Sequence, residues 1–388
     1  MSPGQGGPDR RAPGAAMDGE TFRRAGHALV ERVAELLESI PDRPVTPAES
    51  PDAVRAALDS AAGLPEDGAD PEKILEEAVA LLADHSLYNG HPRFFGYITS
   101  SPAPIGMLGD LLAAAVNANV GAWTLGPMAT EIEAQTVRWI AELMDYPGRG
   151  GLMVSGGNMA NMVGFWAARA AAADWDVRAR GVAEGAPLRA YGSAETHTWI
   201  QKAADLSGLG TEAVRWIPTG ADLRMDVDAL RQRMAADRDA GQRPMVVVGT
   251  AGSVSTGAID DLDALADLAA EHGAWFHVDG AYGGVAAGVP ELARAFRGLE
   301  RADSVAVDPH KWLYAPIEAG CTLVRDPESL RAAFAYHPPY YHFGAEATNY
   351  VDYGPQNSRG FKALKVWLAL RQLGRRGYQE SIAEDIRL

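Results

Sequence analysis

Apolar positions recur at three- and four-residue intervals along the start of the chain. Phe22, Gly26, Leu29, Val33, Leu36 and Ile40 keep that spacing, which predicts an amphipathic helix over 22–40, stopped by Pro41, Pro44 and Pro47. Asp70 followed by Pro71 supplies an N-cap and a first-turn proline for a second helix. Thr130 and Glu133 have the spacing of a capping box opening a third. From about residue 150 the period changes. Short apolar, β-branched runs at 151–154, 188–191, 214–217, 245–249, 275–278, 304–307 and 321–324 alternate with helical patterns at 158–172, 197–206, 227–237 and 261–272. This alternation predicts an α/β fold, a mostly parallel sheet with helices on both faces. Sites in such sheets lie at the carboxyl ends of the strands.

Composition narrows the class. The 388 residues are 47% hydrophobic and 22% charged, as in ordinary folded proteins, and the length allows two or three domains. An excess of 51 acidic over 35 basic residues, net −16, argues against a nucleic-acid binder. No run approaches the roughly 18 apolar residues of a membrane span, and the N-terminus lacks the apolar stretch of a signal peptide. The one thiol, Cys321, excludes an internal disulfide and a cysteine zinc cluster, so a cytoplasmic location and no metal are expected. Residues 1–20 are Gly/Pro-rich and expected to be disordered. Met17 is expected to be the physiological start. Residues 21–90 read as an N-terminal helical arm.

Three segments carry complementary chemistry where strands end. In GLMVSGGNMANM (151–162) a strand runs through Ser155, Gly156 and Gly157 into a helix, and backbone N–H groups at that helix start suit a phosphate. It is neither a Walker motif nor a GxGxxG, and alone it is compatible with a plain tight turn. In HVDGAYGG (277–284) an apolar strand ends in Asp279, a carboxylate that is costly to bury without a cationic partner. In SVAVDPHKWLYAP (304–316) another strand ends in Asp308, Pro309, His310 and Lys311. A lysine hemmed in by apolar neighbours is a usable amine nucleophile. Singly, these three read equally well as a turn, a cap and a surface lysine. Together they are what pyridoxal phosphate requires.

With the DPHKW string, the HVD followed by AYGG and the 32 residues between Asp279 and Lys311, the chain resembles the group II pyridoxal-phosphate amino acid decarboxylases, which include the aromatic L-amino acid and glutamate decarboxylases. The resemblance extends to HPRFFGYITSSP (91–102), ATEIEAQTVRWI (129–140) and SRGFKALKVWLALRQLG (358–374). It implies a fold-type I large cofactor domain over 91–375, with 376–388 opening a C-terminal small domain that is expected to be truncated.

By position, the resemblance makes Lys311 the residue that holds the cofactor, Asp279 the partner of the pyridine nitrogen and His197 the histidine stacked on the ring. It places Ser155, Gly156, Gly157 and Asn158 at the phosphate, His310 beside the lysine, Ala281 against the ring and Thr250 among the cofactor contacts. Tyr340, with Tyr341 as its alternative, matches the loop tyrosine that protonates the α-carbon across a homodimer interface. Phe95, Tyr97, Thr99 and Trp123 match segments lining the substrate pocket. Asp308, commonly Asn in the family, departs from the pattern, as does Asn158-Met159 in place of Thr-Glu. The implied reaction is decarboxylation of an L-amino acid, aromatic first, with acidic or diamino acids as alternatives. An aminotransferase, an aldehyde synthase and a catalytically silent homologue remain open.

Overall fold

In the computed structural model, residues 17–337 and 347–388 are described. They form two compact units, which divide after Tyr97.

The first unit is built of helices α1 (Gly19–Ser39), α2 (Pro51–Ala57) and α3 (Pro71–His85). Each starts as its sequence dictates. Asp18 caps α1 by accepting from the amides of Glu20 and Thr21, Ser50 caps α2, and Asp70 caps α3 ahead of Pro71. An Arg24–Glu72 ion pair and a bond from Arg43 to the Ala83 carbonyl tie the first and third segments together. Little apolar surface is buried: in α1 only Ala25 is.

The second unit is a seven-stranded sheet of β1 (Gly150–Val154), β2 (Leu188–Ser193), β3 (Val214–Ile217), β4 (Arg243–Thr250), β5 (Trp275–Asp279), β6 (Ser304–Val307) and β7 (Gly320–Val324), in the order β1-β7-β6-β5-β4-β2-β3. Strands β2 to β6 pair in parallel, and β7 runs antiparallel to both β1 and β6. The helices are α4 (Pro104–Val116), α5 (Pro127–Leu143), α6 (Gly157–Ala172), α7 (Val177–Arg180), α8 (Trp199–Leu206), α9 (Val227–Asp239), α10 (Leu262–His272), α11 (Glu328–Phe334) and α12 (Ala363–Arg387). Period-two alternation along β4 shows why both faces are covered. Val246 and Val248 pack with Phe165 of α6 and Ile200 of α8, whereas Val247 packs with Leu230 of α9 and Leu265 of α10.

Two local expectations are corrected. The Thr130–Glu133 capping box is not a helix start: α5 begins at Pro127, and the Thr130 hydroxyl donates to the Gly126 carbonyl inside its first turn. Pro127 fixes the start three residues earlier, and Glu133 is drawn inward to Arg359, with the pair 2.5 Å apart and buried. The second is at His197, which precedes α8 rather than opening it. α12 breaks at Gly374, where φ is +69°, and a second helical stretch follows. No helix among the described residues is long and apolar enough to cross a membrane.

Candidate active site at the carboxyl ends of the central strands

β4, β5 and β6 deliver Thr250, Asp279 and Asp308 to the same edge of the sheet, with Thr250 opposite Asp279 in register. Asp279 is 6% exposed. Its Oδ2 accepts the indole N–H of Trp199 at 2.7 Å, and its Oδ1 accepts the Ala281 amide at 3.2 Å. Both carboxylate oxygens are thereby aimed. Trp199 is itself fixed by edge-to-face contacts with Phe165 and His277. Its part in the site was hidden in the sequence, where a tryptophan at a helix start reads as core.

Below Asp279, His277 lies wholly inside the protein. Its Nε2 is 2.7 Å from Asn161 Oδ1 and its Nδ1 2.7 Å from Ser304 Oγ. Asn161 also donates to the Gly157 carbonyl, so the imidazole links β5 to the first turn of α6. Burial pushes its pKa down to about 4, against the opposing attraction of Asp279.

The turn from β1 into α6 forms the anion-binding part. Gly156 has φ +83° and caps a 16-residue helix whose first amides have no partner within it. A Cβ at Gly157 would stand 2.5 Å from Asp308 Oδ2 and 3.0 Å from the Ala281 methyl, and one on Gly320 would strike the Gly156 backbone. Ser155 and Asn158 flank this turn half-buried. The strand-end motif predicted as a phosphate cradle is therefore one whose backbone reaches its place only through glycine.

Lys311 follows on the turn after β6, where its amide donates to the Asp308 carbonyl. Its Nζ is 3.1 Å from Asp308 Oδ2, with the lysine side chain 20% and the aspartate 3% exposed. His310 Nδ1 is 2.7 Å from the Ala319 carbonyl, and its Nε2 is 3.7 Å from the same Asp308 oxygen. Burial pushes the Asp308 carboxyl up, with Lys311 and His310 opposing. Asp308 Oδ1 and Thr250 Oγ1 are buried without a partner among the described residues. Two unspent polar atoms, an aimed carboxylate, free helix-start amides and one amine on a single strand edge are a donor set that fits pyridoxal phosphate. Among the described residues no cluster of His, Cys, Asp or Glu could hold a metal.

The remaining residues are placed less uniformly. His197 is exposed just before α8, and its Nδ1 accepts the Trp199 amide at 3.3 Å, a cap that also sets it beside the tryptophan holding Asp279. Thr99 has a buried hydroxyl with no partner among the described residues, and its neighbour Ser100 donates to the His310 carbonyl. Trp123 directs its indole to Glu131 and its amide to Asn349, and neither bond leads to Lys311. Phe95 and Tyr97 belong to the first unit and are 92% and 84% exposed. Tyr340 and Tyr341 lie outside the described residues.

Residues 51–388 match the family model for the pyridoxal-dependent decarboxylase conserved domain. The chain is 31% identical over 377 residues to an aromatic-L-amino-acid decarboxylase of Bacillus atrophaeus, covering 96% of this chain and 76% of that one. It is also 31% identical over 371 residues to a phenylacetaldehyde synthase of a Rosa hybrid cultivar, covering 92% and 72%. The crystal structure of Oryza sativa TDC with PLP and tryptamine superposes with a TM-score of 0.89 at 31% identity, over 96% of this chain and 78% of that one. Fold, strand-edge chemistry and these likenesses agree: the chain belongs to the pyridoxal-dependent decarboxylase family.

Proposed function

We propose that the protein removes the α-carboxylate of an aromatic L-amino acid as carbon dioxide and releases the amine. The observation that carries the reading is the convergence of Lys311, the doubly held Asp279 and the Gly156-Gly157 helix start on one sheet edge. Pyridoxal phosphate, when bound, supplies the electron sink for the pair left by departing carbon dioxide. The chain's residues do the rest. Lys311 would offer the amine that holds the cofactor. Asp279, fixed by Trp199 and Ala281, would hold a proton at the ring nitrogen, and the α6 amides with Ser155 would hold the phosphate. His197, exposed just before α8, would be the residue that bears on the ring face, as the family resemblance implies.

An aromatic substrate is favoured by the relatives named above, and the amine over the aldehyde by Tyr340, where a phenylalanine would resemble the aldehyde-forming members. Because one of those relatives is an aldehyde synthase, the second reading is oxidation to the aldehyde. Carbon dioxide with stoichiometric amine supports the first, and aldehyde with hydrogen peroxide the second. Lys311→Ala abolishes the borohydride-fixed adduct on either; an adduct that persists in the variant overturns the lysine assignment.

The working form is a homodimer with shared sites, in the cytoplasm. In α4, Gly106 and Gly109 face Pro316 and Lys365, while Leu108, Leu111, Leu112 and Val116 on other sides are each more than half exposed. Such a stripe suits a second copy. A wild-type monomer in ultracentrifugation refutes the dimer, and Leu111→Glu is expected to dissociate it.

A further inference from the structure

The strand edge holds two buried carboxylates, Asp279 and Asp308, and one lysine. Asp279 spends its oxygens on Trp199 and Ala281. Among the described residues, Asp308 spends Oδ2 on Lys311 alone at hydrogen-bond distance, and Oδ1 on nothing. Its Oδ2 also lies against the first turn of α6, 2.5 Å from where a Gly157 Cβ would stand. A phosphate held at that helix start would face this oxygen, and a charged carboxylate there repels it. Lys311, for its part, must shed a proton before its nitrogen can attack a carbonyl.

We propose that Asp308 is the internal proton acceptor of Lys311: one N–H bond of the ammonium breaks, its electron pair stays on nitrogen, and the proton forms an O–H bond on the Asp308 carboxylate. One transfer makes the amine nucleophilic and the carboxyl neutral beside the phosphate site. No proton leaves the pair. Burial favours this direction, since it pushes the Asp308 carboxyl toward its protonated form. The other titratable groups facing Asp308 are His310 at 3.7 Å, Asp279, which opposes its ionisation, and the buried Cys321 thiol of β7. This role rests on Lys311 being the cofactor-holding amine.

The consequence is a pH signature. A lysine and a carboxyl that share one proton hold their neutral-pair population constant between the two titrations of the pair. A lone amine instead gains about tenfold in neutral form per pH unit below its own titration. The full chain, stripped of cofactor, is mixed with pyridoxal phosphate between pH 6.5 and 8.5, the adduct fixed with borohydride at timed intervals, and Lys311 modification read by peptide mass spectrometry. Nα-acetyllysine, run alongside, carries the reagent's own ionisation. Wild-type capture is expected to lack the tenfold-per-unit rise that the free amine shows and to stay flat within about threefold, whereas Asp308→Asn follows the free amine. A wild-type profile parallel to the free amine overturns the proposal even if the variant fails to fold. If an adduct forms on Lys311 with that parallel slope, the cofactor reading stands and only the role of Asp308 falls. No adduct on Lys311 at all overturns both.

Discussion

The wholly buried His277 makes a quantitative prediction about stability in acid. Its imidazole is held near pKa 4 by burial, against about 6.5 in the unfolded chain. Between those values the unfolded chain binds a proton that the folded chain refuses. Acid therefore favours unfolding, and the contribution is fully present above pH 6.5 and lost as pH falls toward 4. At about 1.4 kcal/mol per pH unit, the loss over that window is about 3 kcal/mol. The buried carboxyls of Asp260, Asp303 and Asp308, all pushed up by burial, act in the opposite sense, so the wild-type curve alone mixes the two. His277→Gln separates them, because the carboxyls are common to both proteins. Glutamine can still donate to Asn161 and accept from Ser304, so the variant should be less stable at pH 7.5 by about 1 kcal/mol. Urea titrations at pH 7.5, 6.5, 5.5 and 4.5, followed by tryptophan fluorescence, should show that gap closing and then reversing toward acid. A gap constant within ~0.5 kcal/mol across the series would refute a neutral buried imidazole.

Three substitutions probe the supports of the site. Arg359→Met removes the guanidinium that meets Glu133 and donates to the Val120 and Met153 carbonyls. Stranding a buried carboxylate should cost about 3–5 kcal/mol in urea unfolding, and adding Glu133→Leu should recover a large part; equal losses in the single and double variants would contradict the pairing. Trp199→Phe deletes a charge-assisted bond worth about 1.5–3 kcal/mol, so cofactor should dissociate about tenfold faster or more, and a change under about twofold would mean Asp279 is aimed without the indole. Gly157→Ala sets a methyl against Asp308 and should empty the site on dialysis, with about 1–3 kcal/mol lost in stability; retained cofactor absorbance would show that the turn can yield.

The sheet was legible because each of its strands is a short apolar run and most are separated by helical patterns, the trace that a buried, mostly parallel sheet leaves. The position of Asp279 and Lys311 at the sheet edge was legible for a related reason: each is a charge placed where an apolar strand stops, and only their combination and spacing set them apart from a cap and a surface lysine. What the sequence hid were relations between distant segments. Glu133 and Arg359 are 226 residues apart, and the nearer Thr130 supplied a local explanation that the fold discards. Trp199 carried no sign of Asp279, 80 residues on, because its indole nitrogen matters only once α8 packs over the end of β5. Asp308 is the sharpest case. In the string Asp-Pro-His-Lys its carboxylate reads as well for a turn cap as for a counter-ion. The choice is made elsewhere, by Gly157, whose missing Cβ leaves room for Oδ2 between the α6 start and the Lys311 ammonium. A side chain at 157 would occupy that space, so the glycine that first suggested a phosphate turn is also what lets an acid stand beside the lysine.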